Sequence, residues 1–275
     1  MSIQLNKFTN NNRKIINTLE NFSVIEHEKD MSVSMSNAVT EYYMSKMGVK
    51  RRQIMIQLNG TNSACIQSGA MQWMAGNIVA TSGIKGASDF LGKLVKSSIT
   101  KESAVKPEYK GSGLIVLEPT YKYIILQNVS DWGQGMVVED GMFLACDGSV
   151  QQNIVSRNNV SSALVGGEGF FNLCLQGSGV VALESNVPFD ELIEVNLNND
   201  TLKIDGSLAV CWSSSLDFTV ESTTKSIIGS AASGEGLVNV YRGTGKILMS
   251  PVAPTNTLYN STTTTQANAA KVTAT

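Results

Sequence analysis

Histidine and carboxylate residues are the groups from which this chain could build a catalytic or metal site. The 275-residue sequence contains one histidine, His27, which lies between Glu26 and Glu28. The metal sites of double-stranded β-helix enzymes need clustered histidine and carboxylate ligands, and a Ser-His-Asp or Cys-His site needs a histidine beside its nucleophile. The flanking charges favour a solvated His27. We therefore predict no catalytic residue, no metal ligand and no cofactor, and we do not expect an enzyme.

Two glutamates, Glu168 and Glu235, each lie between glycines, where small neighbours could leave a carboxylate exposed in a groove. A glycosidase-type pair requires two carboxyl groups within about 5–10 Å of each other. We interpret both as residues of a turn or β-bulge, with the carboxylate bonding nearby backbone amides. A carboxylate-based hydrolase stays open as the lowest-ranked alternative.

Charge and glycine patterns argue against nucleotide and nucleic-acid sites. The glycine-rich segments 83–86 and 166–169 lack the Gly-Lys-Ser/Thr ending of a phosphate-binding loop. The chain carries 21 basic and 23 acidic residues, a net charge of −2, whereas proteins that bind DNA are usually basic. We expect no DNA binding, and RNA binding is disfavoured and enters only as part of an alternative. The one basic cluster, Lys50-Arg51-Arg52, is interpreted as the solvated entry to a strand.

The cysteines and the apolar pattern indicate the compartment. Four widely spaced cysteines form no C-x-x-C pair, and a chain of this length does not resemble a short disulfide-framed domain. No stretch approaches the ~20 apolar residues of a membrane span, and the N-terminus lacks the apolar core of a signal peptide. These features predict a cytoplasmic protein without a transmembrane segment.

An internal repeat is the most informative feature of the sequence. The triplet Gly111-Ser112-Gly113 recurs as Gly177-Ser178-Gly179 and as Gly243-Thr244-Gly245, at intervals of 66 residues. Each triplet follows a strand-like segment and precedes an apolar run. Because glycine adopts positive φ without a Cβ clash, each strand–Gly-x-Gly–strand segment predicts a β-hairpin.

Two further elements recur in the same order. Residues 167–173 match residues 234–240, and residues 140–145 are echoed by 205–210 and more faintly by 68–73. These recurrences predict three tandem copies of one β-module, each with several short strands.

Cys146 and Cys211 lie the same number of residues after Gly141 and Gly206, at a position where the first copy has Met74. We interpret that position as a buried apolar site. Trp73 and Trp212 lie close together in the repeat and are likewise expected in the core.

The two ends differ from the repeated part. Residues 1–50 are predicted to form an extension with a short strand over residues 22–26 and a helix over residues 36–47, whose apolar stripe should pack. The triplicated domain spans residues 51–254, with approximate copies over residues 51–124, 125–190 and 191–254. The Thr-rich tail, residues 255–275, is expected to be disordered.

The combined motifs resemble the altered inheritance of mitochondria protein 24 family. The resemblance rests on residues 142–145, 167–171 and 234–238, and residues 66–73 with 83–86 look like a bacterial branch. It implies a β-sandwich or jelly-roll-like module similar to the tryptophan RNA-binding attenuation protein (TRAP), three per chain. It also implies a homotrimer with pseudo-ninefold symmetry.

These observations lead to one expected function and one alternative. We expect a non-catalytic structural or scaffolding protein that works as a ring-like homotrimer and has protein partners. The alternative is a binding module for a small ligand or single-stranded RNA in clefts between the repeats. A fold shared with an RNA-binding ring does not decide between them, because function belongs to the site.

Overall fold

The computed structural model describes residues 3–81, 106–156, 171–222 and 237–253 and consists mostly of β-strands. The predicted all-β class is confirmed. In chain order the strands are β1 Arg13–Leu19, β2 Phe22–His27, β3 Arg52–Ile66, β4 Met71–Thr81, β5 Glu108–Leu117, β6 Tyr123–Asn128, β7 Met136–Val138, β8 Phe143–Asp147, β9 Gln151–Ser156, β10 Phe171–Gln176, β11 Val180–Ser185, β12 Ile193–Asp205, β13 Ala209–Ser213, β14 Asp217–Ser222 and β15 Leu237–Met249. The helix α1 spans Ala38–Lys46.

The strands form two curled antiparallel sheets. In the first sheet the order is β1-β2-β3-β8-β11-β6, and β5 pairs with both β3 and β4. In the second sheet the order is β12-β15-β13-β7-β10-β9, and β14 pairs with β15. Side chains alternate between the two faces of a strand, so Ile54, Ile56 and Leu58 of β3 all enter the core.

The glycine triplets form bends instead of the predicted hairpins. The first and third triplets lie inside the continuous strands β5 and β15. The middle triplet joins β10 to β11, which belong to different sheets. The second glycine of each triplet lies against a neighbouring strand. An added Cβ on Gly179 would lie 2.9 Å from Asp147 Cβ, and one on Gly245 would lie 2.8 Å from Ser213 Cβ. The bends therefore require glycine for close strand approach.

The same strand irregularity occurs at three places 66 residues apart. In the pairs β4–β5, β8–β11 and β13–β15, the first strand has one extra residue that has no partner on the second strand. This extra residue lies next to the partners of Leu117, Leu183 and Met249, respectively. The residues skipped on the partner strands are Gln72, Leu144 and Val210. These β-bulges define corresponding positions along the chain.

The core has three clusters of buried side chains. The first lies under β2, β3 and β5, the second surrounds Trp132 and β8, and the third centres on Trp212. In the third cluster the rings of Trp212, Phe218 and Tyr241 lie 4.9 to 5.2 Å apart between centroids. Burial of such aromatic rings dominates core energetics.

The N-terminal extension contains the predicted strand, now β2, and the predicted helix, now α1. The prediction that the apolar stripe of the helix packs is wrong within this chain. Met35 is 95% exposed, and Val39, Tyr42 and Met47 are exposed as well. Helix α1 has no buried residue. In the described part of the chain, no helix has the length and apolar character needed to cross a membrane.

Candidate functional site

The candidate residues predicted from the sequence do not gather into one centre. His27 is half-buried on β2, and its Nε2 lies 2.8 Å from Oε1 of Gln53. Within residues 3–81, 106–156, 171–222 and 237–253, no group of three or more His, Cys, Asp or Glu side chains is arranged to hold a metal ion. Glu168, Glu235 and the glycine-rich segments 83–86 and 166–169 lie outside the described residues.

Cys146 and Cys211 are buried, as predicted, but they do not occupy the same position. The strand pairing aligns Cys211 with Ala145 and Trp73, and it aligns Cys146 with Trp212 and Met74. The two cysteines differ by one position because the segment from Gly206 to the start of β13 is one residue longer than the segment from Gly141 to the start of β8. A repeat measured from the glycines alone is therefore out of register by one residue.

Met74 also departs from the prediction of a buried site. It is 42% exposed, whereas Cys146 and Trp212 at the corresponding positions are at most 1% exposed. All five residues of β8 and all five of β13 are buried. In the first half of β4, Met71–Ala75, no residue is buried.

The cause of this difference is a missing neighbour. Strand β8 lies between β11 and β3, and β13 lies between β15 and β7. Within the described residues, β4 pairs with β5 alone. We call the outer side of Met71–Ala75 the β4 edge.

A second open edge lies at the other end of the chain. The second half of β12, residues 200–205, pairs with β15 and, among the described strands, with no other. Its counterparts are the end of β3 and the whole of β7, which pair with β8 and β13. Lys203 is exposed, while Val137 at the corresponding position of β7 is buried. We call the outer side of residues 200–205 the β12 edge.

The two internal junctions share one hydrogen-bond pattern. At the β3–β8 junction, Gln67 N donates to Leu144 O and Gly148 N donates to Ser63 O, each at 2.8 Å. At the β7–β13 junction, Glu139 N donates to Val210 O at 3.0 Å and Ser214 N donates to Gly135 O at 2.9 Å.

On the open edges the corresponding pairs are Asp205 with Gln72 and Gly76 with Thr201. Each edge thus presents the backbone groups that the other would need for the same junction.

A cluster of ion pairs joins the N-terminal extension to the start of β3. Arg52 Nη2 lies 2.8 Å from Glu26 Oε2, and Lys50 Nζ lies 3.2 Å from Glu26 Oε1 and 2.9 Å from Glu28 Oε2. The prediction of a solvated strand entry is wrong for Arg52. Its side chain is 4% exposed and lies over the ring of Tyr123, 4.0 Å from the centroid. A charge in that setting must be paired, and Glu26 supplies the partner.

The ion pairs shift the pKa values of the outer groups. A hydrogen bond from Lys50 lowers the pKa of Glu28 and raises the pKa of Lys50. The pKa of Asp30 is lowered, mainly because Ser32 Oγ donates to its Oδ1 at 2.6 Å. Arg51 Nη2 lies 2.8 Å from the other Asp30 oxygen. Both carboxyl groups therefore stay ionised to a lower pH than ordinary carboxyl groups do.

Two clefts border this cluster. One has a volume of about 450 Å³ and runs between α1 and the Glu28–Asp30 segment, with Tyr42, Lys46 and Met31 among its walls. The other has a volume of about 440 Å³ and contains His27 and Arg51. The first cleft lies on the N-terminal extension. The second lies between that extension and Gln53 of β3, Gln72 of β4 and Pro119.

Comparison with known protein families matches residues 45–252 to the mitochondrial biogenesis AIM24 family. That range covers the two sheets from β3 to β15, including both open edges. This chain belongs to the AIM24 family. The predicted resemblance is confirmed by this match. Strands β1 and β2 and most of α1 precede the matched range. The acidic residues of the ion-pair cluster therefore lie before the match, and its basic residues lie within it.

Two relatives of this AIM24-family chain come from Streptococcus pyogenes. An uncharacterized protein of the serotype M6 strain is 30% identical over 200 residues, which is 70% of this chain and 78% of the relative. The crystal structure of another S. pyogenes protein superposes with a TM-score of 0.56 and 24% identity. It covers 80% of this chain and 94% of that one. The likeness to the crystal structure supports the fold alone.

Proposed function

We propose that this AIM24-family chain is a non-catalytic structural protein that contains three copies of one β-module and works as a ring-like homotrimer. One observation carries the proposal, namely the matching pair of open edges on β4 and β12. An unpaired strand edge is a template for pairing with another chain. Because the two edges are different surfaces of the chain, the contact between subunits is head-to-tail, and such a contact forms a ring when the rotation between subunits closes.

The internal junctions supply the register of the proposed contact. The β7–β13 junction pairs Val138 with Cys211 and Val137 with Trp212. Moving both strands to their corresponding positions pairs Ile204 with Trp73 and Lys203 with Met74. The exposed Met74 would then be covered by the β12 edge, as Cys146 is covered by β3.

The remaining features are consistent with a structural role in a reducing compartment. All four cysteines are free thiols, and three are buried. Burial raises the pKa of Cys174 and Cys211, which keeps both as unreactive thiols at neutral pH. The cytoplasm is therefore the proposed location.

Sedimentation of the purified full-length chain tests the assembly. At micromolar concentration we expect the main species to have three times the chain mass of 29.5 kDa. The single chain should not be the main species. A single-chain species at that concentration would remove the main support for the ring. Native mass spectrometry of the same sample reports any molecule that copurifies.

The alternative function is binding of a small ligand or single-stranded RNA, and the cleft beside α1 favours its small-ligand form. Its walls combine Tyr42 with charges of both signs, a lining that suits a small polar molecule. Native mass spectrometry should then show an added mass that Tyr42→Ala removes and Tyr43→Ala retains. RNA binding instead predicts an affinity that falls steeply with salt, so no binding at low salt would exclude it.

A further inference from the structure

Two cysteines face each other at the first internal junction. Cys65 of β3 lies directly opposite Cys146 of β8 in the antiparallel ladder. The flanking hydrogen bonds, Gln67 N to Leu144 O and Gly148 N to Ser63 O, place the two cysteines in a hydrogen-bonded pair. Such pairs have Cα atoms about 5.5 Å apart, within the range of about 4.4–6.8 Å that a disulfide spans.

The surroundings distinguish the two thiols. Cys65 is half-buried, whereas Cys146 is fully buried and accepts a hydrogen bond of 3.6 Å from Nε2 of Gln152. The thiol of Cys146 donates a hydrogen bond to Cys65, which lowers the pKa of Cys65 and raises the pKa of Cys146. A partly accessible cysteine whose pKa is lowered by a second thiol beside it is the arrangement of an oxidant-sensitive pair.

The charged neighbours of Cys65 oppose each other. Glu108 lies opposite Cys65 on β5 and raises its pKa, whereas Lys110 lowers it. The two charges are paired, with Lys110 Nζ 3.0 Å from Glu108 Oε2, and Ser63 Oγ donates to the other Glu108 oxygen at 2.8 Å. The hydrogen bond from Cys146 is therefore the largest influence on Cys65.

We propose that Cys65 and Cys146 form a peroxide-responsive dithiol that converts the β3–β8 junction from a hydrogen-bonded to a covalent one. The Cys65 thiolate attacks one oxygen of hydrogen peroxide and breaks the O–O bond. This forms the Cys65 sulfenic acid and releases hydroxide, which takes up a proton to become water. The Cys146 sulfur then attacks the Cys65 sulfur, the S–O bond breaks, and the thiol proton leaves with the hydroxyl as water. Two electrons pass from the dithiol to the peroxide.

The pair is specific to the first junction. The corresponding pair at the second junction is Val137 with Trp212, and the proposed contact between subunits pairs Lys203 with Met74. Cys174 lies opposite Val137 and Asn153, and Cys211 lies opposite Val138 and Leu248. These two cysteines therefore serve as internal controls. Because both partners belong to one chain, the inference does not depend on assembly.

Mass spectrometry of the full chain tests the pair directly. The reduced protein is treated with hydrogen peroxide at neutral pH, unfolded with an alkylating agent and digested. We expect a disulfide-linked peptide pair containing Cys65 and Cys146, a loss of two hydrogens in the intact mass, and full alkylation of Cys174 and Cys211. A reducing thiol should restore four alkylated cysteines.

Two variants test the separate roles of Cys65 and Cys146. In Cys146→Ser, Cys65 should stop at sulfenic or sulfinic acid with no disulfide, and in Cys65→Ser the remaining cysteines should stay thiols. Four thiols in the oxidised wild-type chain would overturn the proposal, as would a sulfinic acid on Cys65 beside an intact Cys146 thiol. Circular dichroism confirms that each variant is folded, and Cys211→Ser provides the matched control.

Discussion

Strand β4 and strands β8 and β13 occupy corresponding positions, yet their first halves meet opposite environments. The strand irregularities opposite Leu117, Leu183 and Met249 set the correspondence. Residues Phe143–Asp147 and Ala209–Ser213 are wholly buried, because β3 and β7 lie beside them. Residues Met71–Ala75 have no such neighbour among the described strands, and Met74 is exposed.

The comparison shows that burial at this position depends on a neighbouring strand and not on the local sequence. Met71, Trp73 and Met74 are as apolar as the residues they correspond to. Met74 is exposed, and Met71 and Trp73 are only partly buried. Large apolar side chains left uncovered beside an unpaired edge are typical of an interface. The β12 edge has the matching deficiency, which is why we assign the two edges to each other.

The largest expected effect is the difference in protomer stability between alanine substitutions at Trp212 and at Met74. Trp212→Ala should destabilise the protomer by about 3–5 kcal/mol, because it empties a buried site that contacts Phe218 and Tyr241. Met74→Ala should change protomer stability by about 0.5 kcal/mol or less, as for other surface positions, and should weaken assembly. Chemical denaturation at low protein concentration measures the first effect, and sedimentation measures the second. Equal losses of protomer stability would contradict the correspondence.

Assembly should depend on the backbone N–H of Lys203. In the proposed register this group faces the β4 edge of the next subunit, so Lys203→Pro leaves the pairing with β15 intact. An unsatisfied partner carbonyl costs about 1–3 kcal/mol, which is roughly 5- to 150-fold in the dissociation constant. Sedimentation over a concentration series measures the change.

The matched control is Lys203→Ala, which keeps the N–H and should assemble like the wild type. If Lys203→Pro assembled as well as Lys203→Ala, the β12 edge would not be the contact.

A smaller effect compares the two covered strands at their bends. Asp147 Oδ2 accepts from Val180 N at 2.6 Å, and at the corresponding bend Ser213 Oγ accepts from Lys246 N at 3.0 Å. Asp147→Ala should cost about 1–3 kcal/mol and Ser213→Ala about 0.5–1.5 kcal/mol, since each leaves a backbone N–H without its acceptor. Thermal unfolding with circular dichroism measures both. A larger loss for Ser213→Ala would reverse the expected order.

Asp147 also predicts a pH dependence. Burial raises the pKa of its carboxyl above the ordinary 3.8, so the folded state disfavours the ionised form. The resulting penalty is absent below the ordinary pKa, grows as pH rises through the raised pKa and is complete above it. Asp147→Asn keeps an acceptor and removes the charge. Relative to this variant, the wild type should lose stability as pH rises from about 3 to 7. A constant difference across that range would contradict the assignment.

The sequence was sufficient for the fold class, the strand at Phe22 and the interval of 66 residues, because glycine triplets and apolar runs are local signals. It failed at the triplets themselves. A Gly-x-Gly between two strands has the same local pattern whether the chain reverses in a hairpin or bends between sheets. Only the long-range partners of β5 and β15 distinguish these outcomes.

The site was harder to predict for the same reason. Nothing near Lys50-Arg51-Arg52 indicates that Glu26 returns to pair with Arg52 across the β2–β3 ladder. Met74 is exposed because no strand in the described part of the chain pairs with the outer side of Met71–Ala75. The sequence also did not indicate that Cys65 faces Cys146, because this depends on the long-range pairing of β3 with β8.

Disulfide trapping across the two open edges tests the central claim most directly. At the internal junctions, Ala64 pairs with Asp147 and Met136 pairs with Ser213, and the corresponding pair between subunits is Leu202 with Ala75. This pair is non-hydrogen-bonded, with Cα atoms about 4.5 Å apart, a distance that a disulfide spans. The variant combines Leu202→Cys and Ala75→Cys with Cys65→Ser.

After oxidation we predict covalent species of up to three chains on a non-reducing denaturing gel. Reduction should return them to single chains, and each single-cysteine variant should stay a single chain. If the double variant sediments as an oligomer yet migrates only as single chains after oxidation, the β4 and β12 edges do not pair in this register.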